Sequence, residues 1–104
     1  MERQAFRMKL KPGFEEEYRK RHDEIWPELS EALADAGITD YSIFLDPADG
    51  SLFAVRKLAA GNTAADLAAH PVVRRWWDFM APVMDVNPDN SPVEVPLVEV
   101  FHQP

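Results

Sequence analysis

The stretch Tyr18–Leu29, YRKRHDEIWPEL, puts a titratable side chain where helical spacing requires an apolar one. The flanking apolar positions Phe14, Tyr18, Ile25, Leu29, Leu33 and Ala36 are separated by four, seven, four, four and three residues, which is one face of a 3.6-residue helix. The gap in that series falls at His22, four after Tyr18 and three before Ile25, so its imidazole is expected to point at whatever the helix packs against. Arg19, Lys20, Asp23, Glu24, Glu28 and Glu31 occupy the other side. Pro27 removes a backbone donor and disfavours helical geometry at Trp26, so the helix should kink or restart there. A histidine so placed is either a hydrogen-bonded core residue or an acid–base group beside a pocket, and spacing alone leaves both readings open.

Outward from this segment, Ala5–Leu10 alternates, with Phe6, Met8 and Leu10 on one face, and reads as a strand with one buried side. Gly37 suits the left-handed position after a helix ending at Ala36. Asp40–Leu45, with Tyr41, Ile43 and Leu45 on one face, and Leu52–Leu58 read as a hairpin around the turn Asp46–Gly50. Thr63 and Asp66 have capping-box spacing ahead of a short alanine-rich helix. Pro71 suits the first position of the next helix, in which Val72, Val73, Trp76, Trp77, Met80, Val83 and Met84 recur at steps of one, three or four. Asn87–Pro92, NPDNSP, is a structured loop, with Asp89 and Asn90 expected to bond its backbone in Asx turns. Leu97–Phe101 is expected as the last strand.

The order βαββαβ predicts an α+β fold: a ferredoxin-like, four-stranded antiparallel sheet with two helices on one face and the first and third strands central. The 104 residues make a single domain, 1–104. Apolar residues on both sides of several strands, such as Phe53 and Val55 alternating with Leu52 and Ala54, predict that the uncovered face meets a second copy, sheet to sheet.

Composition narrows the function. A net charge of −7 supplies no basic stripe for nucleic acid and none for an anionic membrane. Without cysteine there is no thiol nucleophile, thiolate metal site or disulfide framework. His22, His70 and His102 form no paired metal-ligand motif, so no metal is expected. The N-terminal MERQAFRMKLK has no continuous apolar run, which reads as neither signal peptide nor membrane anchor and makes the cytoplasm the expected location. Tyr18 and His22 should project inward one turn apart, with Tyr41 and one of Trp76 and Trp77 in reach of the same space. Flat apolar walls with a few polar groups suit a small ringed, hydroxylated molecule such as a sugar.

Four strings carry more specific information: HDEIWPEL at His22–Leu29, RWWDFM at Arg75–Met80, NPDNSP at Asn87–Pro92 and EVF at Glu99–Phe101. In this order and at these separations they resemble the L-rhamnose mutarotase family almost end to end. The resemblance implies an isomerase, an L-rhamnose 1-epimerase, that interconverts the α and β anomers of L-rhamnose, built as a homodimeric α+β barrel. By position it implies His22 as proton donor and Tyr18, Tyr41, Trp76 and Trp77 as substrate-binding residues. Acid–base ring opening and reclosure need no metal or cofactor. The complementary base is open, Tyr18 being nearest by register and a water or a carboxylate such as Glu99 being alternatives. The same fold also serves as a ligand-binding module or an oxygen-using monooxygenase, so the fold alone does not decide the activity.

Overall fold

The computed structural model describes residues 1–104. Four strands, β1 (Glu2–Lys9), β2 (Ile38–Asp46), β3 (Ser51–Leu58) and β4 (Val95–Leu97), form one antiparallel sheet in the order β2-β3-β1-β4. The first and third strands are central, as right-handed connections require. Helices α1 (Glu15–Asp23) and α2 (Pro27–Asp35) connect β1 to β2, and α3 (Pro71–Met80) lies between β3 and β4. The core forms where they cover one sheet face: Phe6 and Met8 of β1 and Leu52 and Ala54 of β3 are buried with Tyr18, Leu29, Val73, Trp76 and Met80.

The proline at position 27 divides the first helical segment completely. Pro27 is the first residue of α2, Trp26 is extended at φ −63° and ψ 130°, and α1 ends at Asp23. The apolar stripe survives the break because Tyr18 and Leu29 are buried while Phe14, Ile25 and Leu33 pack against the core. The restart changes the phase, so Ala32, outside the expected stripe, is also buried. Gly37 ends α2 at φ +88°, and a Cβ there would lie 3.0 Å from the Asn62 Cβ, so both conformation and packing require glycine.

Several boundaries differ from the sequence reading. β1 begins at Glu2, not Ala5, because residues Glu2–Gln4 pair with Leu58–Arg56, a partner invisible to local alternation. β2 begins at Ile38 and carries an irregularity between Thr39 and Ser42, with Asp40 at φ 51°. The Thr63–Asp66 capping box does not form. Thr63 makes no side-chain cap, and the Asn62 Oδ1 instead accepts from the Ala64 N–H at 3.2 Å, opening a 3₁₀ segment, Ala64–Ala69. His70 caps α3, its Nδ1 accepting from the Val72 N–H at 3.2 Å, and Pro71 follows at the first turn.

The last strand is displaced. β4 is Val95–Leu97, and the expected strand beyond Leu97 is absent, with Val98, Val100 and Phe101 at least three-quarters exposed. Glu99 and His102 are instead held to Arg3 through side chains, so the tail follows the edge of β1 without a backbone ladder. On the face away from the helices, Phe44, Val55, Val95 and Leu97 remain more than a third exposed. Pairings of Phe44 with Phe53 and of Ala5 with both Val55 and Leu97 join these positions across the sheet.

Candidate active site

The space between α1, α3 and the inner sheet face is a cleft of about 1480 Å³. That exceeds the roughly 300–1,000 Å³ typical of small-molecule sites, so a single sugar ring has room. Tyr18 and His22 of α1, Tyr41 of β2 and both Trp76 and Trp77 of α3 line it. All five side chains singled out from the sequence are therefore brought together.

The break at Trp26 helps to make this wall. Trp26, displaced from the helical stripe, packs its ring edge on Trp76 at 5.2 Å between centroids and against Phe79 at 5.4 Å. Trp76 in turn meets the His22 ring edge to face at 5.4 Å, and His22 lies 4.4 Å from the Tyr18 ring. Arg21 locks α1 to the end of α3: its guanidinium lies 4.1 Å from the Phe79 ring centre and donates to the Phe79 carbonyl. It also pairs with Glu17 at 3.2 Å, so Arg21 fixes the helix carrying His22. Trp76 is buried, whereas Trp77 is half-buried, packs against the core and has no aromatic neighbour.

The imidazole of His22 is oriented by the backbone. Its Nδ1 lies 3.1 Å from the Tyr18 carbonyl, and since a carbonyl only accepts, Nδ1 carries the hydrogen. Nε2 is left to exchange protons. No buried side-chain polar atom lacks a partner, yet Nε2 and the hydroxyls of Tyr18 and Tyr41 make no hydrogen bond within the protein, so these atoms are open to the cleft. Burial pushes the His22 pKa below its ordinary 6.5, with the Tyr18 carbonyl and Asp23 opposing only in part.

The phenols behave differently. Burial, reinforced by neighbouring Tyr41, raises the Tyr18 pKa far above its usual value. Tyr41 is pushed up to about 12, chiefly by burial, with Arg56 opposing and Glu94 adding to the rise. Both hydroxyls stay protonated at neutral pH and serve as donors, which removes Tyr18 as the complementary base. Of the alternatives, Glu99 fails on position, being outside the cleft and paired with Arg3.

One rim is the NPDNSP loop. Asp89 closes the expected Asx turn, accepting from the Ser91 N–H at 3.0 Å. The Asn90 side chain does not bond its own loop; at φ 67° the residue sends its Nδ2 to Asp78 at 3.0 Å, tying the loop to α3, while its backbone N–H donates to the Asn87 carbonyl at 2.8 Å. Two lining residues escaped the sequence reading. Arg56 sits on the core-facing side of β3, its guanidinium 5.1 Å from the Phe6 ring centre and 5.6 Å from that of Tyr41, with Nε donating to Gln4 at 2.7 Å. Glu94 precedes β4. A charged residue at the buried parity of Leu52, Ala54 and Leu58 was the legible signal for Arg56. No three His, Asp or Glu side chains come together in a way that could hold a metal ion.

A sequence model of the family described as L-rhamnose mutarotase matches residues 3–103. The L-rhamnose mutarotase of Acidiphilium cryptum is 58% identical over 104 residues, spanning 100% of both chains. That of Phocaeicola vulgatus is 56% identical over 102 residues, 98% of each chain. The crystal structure of the L-rhamnose mutarotase from Formosa agariphila superposes with a TM-score of 0.94 at 50% identity, covering 100% of both chains.

Proposed function

The chain belongs to the L-rhamnose mutarotase family, and we propose from this premise that it interconverts the α and β anomers of L-rhamnose through the cleft around His22. It is then an isomerase acting on sugar anomers, an L-rhamnose 1-epimerase. The observation that carries the mechanism is the His22 Nε2, open to a cleft it shares with two protonated phenols and two indoles.

In the forward step the protonated imidazole gives its Nε2 proton to the ring oxygen. The C1–O5 bond breaks with its electron pair going to O5, while the anomeric hydroxyl loses its proton to a base and C1 becomes an aldehyde carbon. Rotation about C1–C2 presents the other carbonyl face, and reclosure reverses both transfers. Burial of the imidazole makes it a stronger acid than a solvent-exposed histidine, which favours release of the proton. Tyr18 and Tyr41 donate to sugar hydroxyls, Trp77 offers the accessible part of its half-buried ring to the C–H face of the sugar, and Trp76 backs His22. Ile43, Leu67 and Met80 line the cleft and give the 6-methyl group an apolar wall.

The outer sheet face supports a homodimer of the α+β barrel type, with the sheets packed on each other. A contiguous apolar surface containing Phe44 and Val55 is well suited to burial against its own copy. The chain has no helix long and apolar enough to cross a membrane, and a cytoplasmic sugar enzyme is the reading we adopt.

Saturation-transfer NMR on L-rhamnose tests the activity. Catalytic concentrations should accelerate α–β exchange, with slower catalysis of L-fucose and other aldoses in a panel. Exchange at the spontaneous rate for every sugar would refute the assignment.

A further inference from the structure

We propose that Glu94 is the proton-transfer partner of His22: its carboxylate takes the anomeric proton on the sheet side of the cleft while His22 serves the ring oxygen from the helix side. This deepens the mutarotase reading and rests on it.

The argument begins with the register of the sheet edge. In β4, Val95 pairs with Arg7 and Pro96 with Phe6. Phe6 and Met8 face the core and Arg7 does not, so alternation turns Pro96, and with it Glu94, toward the helices. Glu94 accordingly lines the same cleft as His22. The two groups approach the space from opposite layers, α1 and the sheet, which is the disposition needed to deliver a proton at one oxygen and remove one at another.

Other carboxylates of the cleft are less suited. Asp89 is committed to Ser91, which holds its pKa below the usual range and weakens it as a base. Asp40 pairs with Lys57 at 3.3 Å. Glu15, Glu16, Asp23 and Glu24 lie on or beside α1, the same layer as His22. Glu94 enters from the sheet side without an ion pair, in a cleft it shares with Arg56 and Tyr41.

Their protonation behaviour agrees. Burial raises the Glu94 pKa, opposed by Arg56, while burial lowers that of His22, opposed by the Tyr18 carbonyl and Asp23. The two values move toward each other, which brings the carboxyl and the imidazole closer to exchanging a proton through the sugar. Opening moves the His22 proton to O5 and the O1 proton to Glu94. Closure returns a proton from Glu94 to the carbonyl oxygen as O5–H attacks and reprotonates His22. No electrons leave the sugar and the enzyme is regenerated.

The test compares wild type, Glu94→Gln and His22→Asn in the L-rhamnose exchange assay from pH 4 to 9. Glu94→Gln should lower kcat about 100-fold with KM changed less than about threefold, and should flatten the acid limb of the wild-type pH profile. A folded Glu94→Gln that keeps at least half the wild-type kcat and the same acid limb overturns the role of Glu94 while leaving the mutarotase assignment intact. A wild type that does not accelerate exchange overturns both. Glu94→Ala supplies a second arm: partial rescue by added formate supports proton transfer, and a loss of rate that formate leaves unchanged overturns it in favour of a packing role.

Discussion

Trp76→Ala and Trp77→Ala, adjacent in sequence, should fail in opposite ways. Trp76 is 9% exposed, and its ring contacts Trp26 at 5.2 Å, His22 at 5.4 Å and Phe79 at 5.6 Å. Truncating a buried aromatic with such contacts costs about 3–5 kcal/mol. Total stability of such a domain is about 5–15 kcal/mol, so the midpoint of thermal unfolding should fall by roughly 15–30 °C. Trp77, half-buried without an aromatic neighbour, should cost only about 1 kcal/mol. Its loss should appear in the sugar: removing one stacking face worth about 1–1.4 kcal/mol raises KM about five- to tenfold. Thermal unfolding followed by circular dichroism measures the first effect and saturation-transfer NMR over a concentration series the second. Equal destabilisation by the two substitutions, or an unchanged KM in Trp77→Ala, would refute the division of roles.

Three further outcomes follow from the geometry. Gly37→Ala should lose about 1–2 kcal/mol in urea unfolding, because its methyl must enter at φ +88° and 3.0 Å from the Asn62 Cβ; a variant as stable as wild type would contradict that strain. Phe44→Glu, which places a charge on the exposed sheet face, should convert a dimer to a monomer in sedimentation velocity at micromolar concentration, and an unchanged dimer would exclude sheet-to-sheet pairing at Phe44. The lowered His22 pKa means that the unfolded chain binds more protons than the folded one just below pH 6.5. Its contribution to stability is therefore complete above 6.5 and lost as pH falls through the folded value, so His22→Gln should show a shallower loss of urea midpoint between pH 7.5 and 5.5 than wild type. Parallel slopes would contradict the shift.

Periodicity was sufficient for the framework because each buried element has one apolar side: Phe6 and Met8 in β1, Tyr18 and Leu29 across the α1–α2 break, Val73, Trp76 and Met80 in α3. It was also sufficient to place Tyr18, His22, Tyr41 and one of the two tryptophans around one space; that both Trp76 and Trp77 line it was implied by the family resemblance and not by spacing. What it missed depends on partners distant in sequence. The start of β1 at Glu2 is decided by pairing with Leu58, and the end of β4 at Leu97 by loss of the backbone ladder despite the favourable β-propensity of Val98 and Val100. Arg56 was passed over because apolar residues flank it on both faces of β3. Glu94 sits beside a short strand whose register only the fold reveals. The grip of Arg21 on Phe79 requires α3 to be in place, which local spacing on α1 does not reveal.

The central claim is that the imidazole of His22 moves the proton that opens the sugar ring. Saturation transfer between the anomeric resonances of L-rhamnose in the presence of His22→Ala, shown to be folded by circular dichroism, tests it most directly. We expect the catalysed exchange to fall by at least about 100-fold, to near the spontaneous rate. A folded His22→Ala protein that exchanges the anomers as fast as wild type would contradict the account.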